Sequence, residues 1–87
     1  MKIFKYELNL GETVLEMPEP AKILSVQAQN NKPVLYVLID EEESLVKKRI
    51  RVVATGQAAD LFDAGKYIGT IMLDGGNFVL HAFEEVD

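Results

Sequence analysis

The sequence predicts an all-β fold: a small, mainly antiparallel β-sandwich or open barrel of about six or seven strands with at most one short helix. Three observations predict it. Residues 3–10 alternate polar and apolar side chains, which is the period of a half-buried strand. Residues 34–39 are apolar at every position, the pattern of a strand covered on both faces. Near the end of the chain, Gly75-Gly76 stands between two runs whose apolar residues pair one with another across a tight turn.

Taken in order, the first strand puts Phe4, Tyr6, Leu8 and Leu10 on one side and Lys5, Glu7 and Asn9 on the other. Gly11-Glu12 turns the chain. Residues 13–17 form a short second strand, ended by Pro18-Glu19-Pro20, where two prolines remove ladder donors and make an edge or a corner.

Residues 21–39 are the stretch around which the rest is arranged, and they read as two strands joined by a tight turn. Asn30, Asn31 and Pro33 favour a two-residue loop at Asn31-Lys32, which sets Gln29 opposite Val34 and Val26 opposite Val37. One face then carries Leu24, Val26, Ala28, Leu35, Val37 and Ile39, and is predicted core. The other mixes Ser25, Gln27 and Gln29 with Val34, Tyr36 and Leu38, so it calls for a cover: part of this chain, a second copy, or a ligand.

The run Asp40-Glu41-Glu42-Glu43 reads as a solvated loop, because carboxylates in sequence without other placed oxygens define no coordination shell. Residues 45–55 return as a long strand in which Val46, Ile50, Val52 and Ala54 alternate with Lys47, Arg49 and Arg51, Lys48 being the exception on the apolar side. Placed beside residues 34–39, this strand would bring its cationic stripe to the mixed face with Tyr36. Residues 56–65 form a glycine-bounded loop with room for one helical turn anchored by Leu61 and Phe62. In the final hairpin Leu73 faces Phe78, Met72 faces Val79, Ile71 faces Leu80, Thr70 faces His81 and Ile68 faces Phe83, while Gly69 signals a bulge or a close backbone approach.

At 87 residues the chain has room for a single domain, 1–87, with a small core. Its 48% hydrophobic and 26% charged residues belong to a folded protein. It has no cysteine and one histidine, so a metal site and a cofactor are not expected. The alternating N-terminal segment is no signal peptide, and no run is long enough for a membrane span, so a cytoplasmic protein is expected. The net charge of -5 argues against general nucleic-acid binding.

The candidate ligand- or partner-binding residues are Tyr36, Lys47, Arg49, Arg51, Gly56, Gln57 and His81. Arginine forks grip phosphate or carboxylate, and an aromatic ring stacks on a base or a guanidinium. Against that reading stands a solvated face paired with nearby acids. Gly56 and Gln57 follow a strand and read as a turn rather than a phosphate cradle, since Walker spacing is absent. His81 reads as a structural histidine bonded to Thr70 or to backbone. A catalytic role is not expected, because neither Ser25 nor Ser44 stands in a nucleophile-elbow context and no oriented base accompanies them.

The chain resembles a family of short proteins encoded by phages, prophages and bacteria and known only as a domain of unknown function. The residues that carry the resemblance are KIFKYEL at 2–8, LEMP at 15–18, AKILSVQ at 21–27 with Gln29-Asn30 after it, Thr55-Gly56, YIGT at 67–70, and His81, Phe83 and Glu84. The pattern departs at two places: Gln57 stands where a histidine is expected, and Tyr36 where a tryptophan is expected. The resemblance implies phage-type origin. The functional expectation is a non-catalytic binding protein and not an enzyme, acting as a homo-oligomer or on a host factor such as a defence protein. The alternative is a sponge that sequesters a small nucleotide-like anion through Arg49, Arg51, Tyr36 and the Gly56 loop.

Overall fold

The structure, a computed structural model, describes residues 1–58 and 65–85. Seven strands are found among them: β1 (Lys2–Glu7), β2 (Gly11–Pro18), β3 (Ala21–Gln29), β4 (Lys32–Ile39), β5 (Leu45–Ala54), β6 (Lys66–Leu73) and β7 (Phe78–Glu84). They form two antiparallel sheets, one ordered β1-β4-β3 and the other β2-β5-β7-β6. Among the described residues the one helical turn, Asp74–Gly76, is the tip of the β6-β7 hairpin. The predicted turn anchored by Leu61 and Phe62 lies outside the described residues. Among the described residues no helix is long and apolar enough to cross a membrane, which says nothing of a β-barrel.

β4 is the middle strand of its sheet: Leu35, Val37 and Ile39 are buried toward the core, and on the other side Val34 is buried while Tyr36 and Leu38 are half-buried. Its unbroken apolar run predicts a strand covered on both faces, and the outer face is covered only in part. Pro33 fits near its start because the ladder position where it lacks a donor lies at the end of β1, where its carbonyl accepts the Leu8 N–H at 3.0 Å.

The β3-β4 hairpin corrects the predicted register. Its turn is Asn30-Asn31, not Asn31-Lys32; both asparagines adopt positive φ, at 51° and 61°, and Gln29 pairs with Lys32. Two adjacent residues in the left-handed region make the turn whose twist suits a two-residue hairpin, and asparagine tolerates that region. The register therefore slips by two residues, so Val26 faces Leu35 and Gln27 faces Val34. A slip of two preserves the faces. A bulge between Ile23 and Ser25 then changes them: Ile23 and Ala21 turn to the core and Leu24 turns outward, 43% exposed. Ala28 is also exposed.

A second correction concerns β5. It does not pair with β4 but crosses to the other sheet, between β2 and β7, and β1 takes the place beside β4. Three connections make such crossings: residues 8–10 between β1 and β2, Pro18 to Ala21 through the cis Glu19-Pro20 peptide, and the acidic loop after Ile39; the last two touch where Glu19 N–H donates to the Ser44 carbonyl at 3.1 Å. The proline segment is thus the predicted corner. The acidic loop is exposed at residues 41–44, with Glu41 paired to Lys2 at 2.8 Å.

The core lies between the sheets, where Leu35, Val37 and Ile39 meet Met17, Ile50, Val52, Leu80 and Ala82, all essentially solvent-free. β3 lies against β6 at a point where a side chain is not tolerated: a Cβ at Gly69 would come 2.9 Å from Cγ1 of Val26. Gly69 also follows a bulge, so the predicted Ile68-Phe83 pairing is replaced by Tyr67 with Phe83, while the other four predicted pairs of this hairpin hold. The tips of the two hairpins are joined, Asp74 N–H donating to Asn31 Oδ1 at 2.7 Å.

Candidate functional site

Alternation along β5 decides where its cations point. Ile50 and Val52 face the core, so Lys47, Arg49 and Arg51 face outward from the four-stranded sheet, opposite Glu16, Val14 and Glu12 of β2. His81 on β7 shares that outer face, and Gly56 and Gln57 lie at its end. Tyr36 does not. It lies on the outer side of the other sheet beside Lys5 and Ser25, so it cannot stack on a ligand held by the arginines.

One member of the cationic stripe, Arg51, is paired where it stands. Arg51 Nε donates to Glu85 Oε1 at 2.9 Å, and its Nη2 lies 3.6 Å from Glu12 Oε2. Arginine's fixed fork suits two carboxylates at once. The two acids also shift each other's titration in opposite directions. The hydrogen bond to Glu85 raises the Glu12 pKa above the ordinary carboxylate range, with desolvation and the Glu85 charge adding to it. The same bond lowers that of Glu85, reinforced by Arg51.

The stability contributions of the two shifts oppose each other. The lowered Glu85 pKa stabilises the fold above the unfolded carboxylate value and is lost as pH falls through the folded one, whereas the raised Glu12 pKa stabilises below the unfolded value and is lost as pH rises through the folded one. Carboxyl NMR titration is expected to give two steps for the pair, one on each side of an isolated glutamate, and Arg51→Ala should raise the lower step. A single shared step at the ordinary value would contradict the geometry.

Beside this pair runs a chain of hydroxyls. His81 Nε2 lies 2.6 Å from Thr55 Oγ1, and its Nδ1 lies 3.0 Å from Thr70 Oγ1, which is 2.6 Å from the Tyr67 hydroxyl. Either neutral tautomer satisfies this chain, with the hydroxyl protons all turned one way or the other. The predicted His81 to Thr70 contact is present, and Thr55 completes it from a second strand end. Tyr67 then meets the Phe83 ring edge-on at 5.5 Å. A threonine hydroxyl on an imidazole is a proton-transfer pair, but catalysis also needs a seat for an electrophile.

The Gly56 turn offers no such seat. Gln57 N–H donates to the Ala54 carbonyl and Gln57 Oε1 accepts the Ala54 N–H, both at 3.0 Å, while Thr55 N–H donates to Val79 at 3.0 Å. The N–H groups of residues 54, 55 and 57 are spent inside the fold. Gly56 is needed for its φ of 85°.

A cleft of about 330 Å³ lies elsewhere, where the bulges of β3 and β6 part the two strands below their contact at Gly69. Lys22, Lys48, Lys66, Tyr67 and Glu84 are among the residues that line it. Lys48 lies 3.4 Å from Glu84 and 3.7 Å from Glu19. Its position as the exception to the β5 alternation was the one sign of this cleft in the sequence. Among the described residues no group of three or more acidic, histidine or cysteine side chains is placed to hold a metal ion.

Residues 1–87 match the family described as Domain of unknown function (DUF7352). The chain belongs to this family. No curated protein and no solved structure matches it. In this member of DUF7352 the motifs that carry the resemblance fall on distinct parts of the fold. KIFKYEL is β1, whereas Thr55, Tyr67, Thr70 and His81, from three separate motifs, meet in the one hydroxyl chain.

Proposed function

We propose that this chain is a non-catalytic binding protein of phage type that acts through protein contact, in its own assembly or on a host factor. One observation carries the reading: β1 is an edge strand exposed at five of its six positions, with Ile3 61% and Phe4 38% exposed although they point to opposite faces. An edge of this kind presents unpaired backbone donors and acceptors together with apolar side chains, which is what strand addition uses. The anion-sponge reading loses support from the same geometry, because Tyr36 stands on the other sheet and Arg51 is held by two glutamates.

The test is native mass spectrometry on protein purified without denaturation, with the heat-released supernatant searched for small molecules. Protein-only masses are expected, with nothing released. A mass in excess of whole chains that departs on heating would overturn the protein-contact reading in favour of the sponge.

A further inference from the structure

We infer that the partner of β1 is β1 of a second copy, paired antiparallel about a two-fold axis through Phe4; this rests on the protein-contact reading and names its partner. The first step is which backbone groups are free. Leu8 N–H donates to the Pro33 carbonyl, so in the antiparallel ladder Leu8, Tyr6, Phe4 and Lys2 turn their N–H and C=O toward β4. Ile3, Lys5 and Glu7 therefore turn theirs to the open edge. The other three sheet edges are less available: β3 and β6 lie against each other, and β2 ends in buried Met17 and Pro18.

The second step is the register. A two-fold axis normal to a sheet pairs residues of the same face, so it must pass through a residue rather than between two. An axis at Lys5 sets Lys5 directly on Lys5 of the second copy, a like-charge pair that destabilises. An axis at Ile3 uses little of the strand. An axis at Phe4 overlaps residues 1–7 in full, faces Ile3 with Lys5 through two ladder hydrogen bonds, sets Lys2 on Tyr6, and brings the two Phe4 rings together. No like charges meet. Lys5 is already drawn away from the edge, its Nζ donating across β4 to Gln29 Oε1 at 2.7 Å. The result is one six-stranded sheet shared by two chains.

The absence of native cysteine makes this register readable by single engineered disulfides. Across the axis the Phe4 pair is not hydrogen-bonded, with Cα atoms about 4.5 Å apart, inside the range a disulfide bridges. Phe4→Cys is expected to cross-link under mild oxidation at least about tenfold faster than Ile3→Cys or Lys5→Cys. Lys5→Pro removes an outward backbone N–H and the exposed side-chain bond to Gln29 but no hydrogen bond of the β1-β4 ladder, so its circular dichroism should stay that of the wild type while native mass spectrometry shows the dimer lost. A monomeric wild type, a dimer that survives Lys5→Pro, or fastest cross-linking at 3 or 5 would each overturn the inference. None of these outcomes releases a small molecule, so failure here is distinct from failure of the protein-contact reading.

Discussion

Leu35→Ala is expected to cost about 2–5 kcal/mol, the range for emptying a buried leucine site. Leu35 is fully buried in the middle strand of its sheet, between β1 and β3 and against the second sheet. A domain of this size is stable by only roughly 5–15 kcal/mol, so a large part of that margin would go. Urea denaturation would show it as a lower midpoint at unchanged slope. The informative control is Leu24→Ala. Alternation in the sequence places Leu24 on the same core face as Leu35, but the bulge turns it outward, and its loss should cost less than about 0.5 kcal/mol. Ile23→Ala, which empties a side chain packed on the core, should cost more than Leu24→Ala. The reverse order would show that the bulge is misplaced.

The second large effect is expected at Gly69. A methyl there would lie 2.9 Å from Cγ1 of Val26, a short branched side chain that cannot swing clear as a long one would. Gly69→Ala should therefore destabilise by about 1–3 kcal/mol, as overpacking does. Val26→Ala alone should also destabilise, since Val26 is 6% exposed. The two together should cost less than their sum, because each relieves what the other imposes, and a double-mutant cycle measures the difference. Strict additivity would mean that β3 and β6 do not meet at this point. The same contact gives the fold its closed side and leaves β1 as the open one, so Gly69 bears on which edge is free to bind.

Much of the candidate site was legible in the sequence as a set of residues and illegible as a place. Lys47, Arg49 and Arg51 alternate with core residues, and that alone puts them on one outer face. The Thr70 to His81 pairing follows from the Gly75-Gly76 turn, because a hairpin carries its register from its tip. Thr55 could not be placed in the same network, since it comes from a strand end 26 residues away from His81. The glutamates that hold Arg51 lie on β2 and just beyond β7, and only sheet order brings them there.

By itself the sequence determined the fold class, the strands, the middle position of β4, and the last hairpin up to its bulge. These are local matters: side-chain period, unbroken apolar runs and residues that accept positive φ act within a few positions of one another. Only the tertiary structure decided that β5 leaves β4 for the second sheet, that Leu24 exchanges places with Ile23, that Tyr36 and the arginines face apart, and that β1 is left open. Neighbouring strands in sequence usually pair, and nothing in residues 40–44 says that this connection crosses from one sheet to the other. Which strands become partners is settled by how whole faces bury one another, and that sum is taken over residues far apart in the chain.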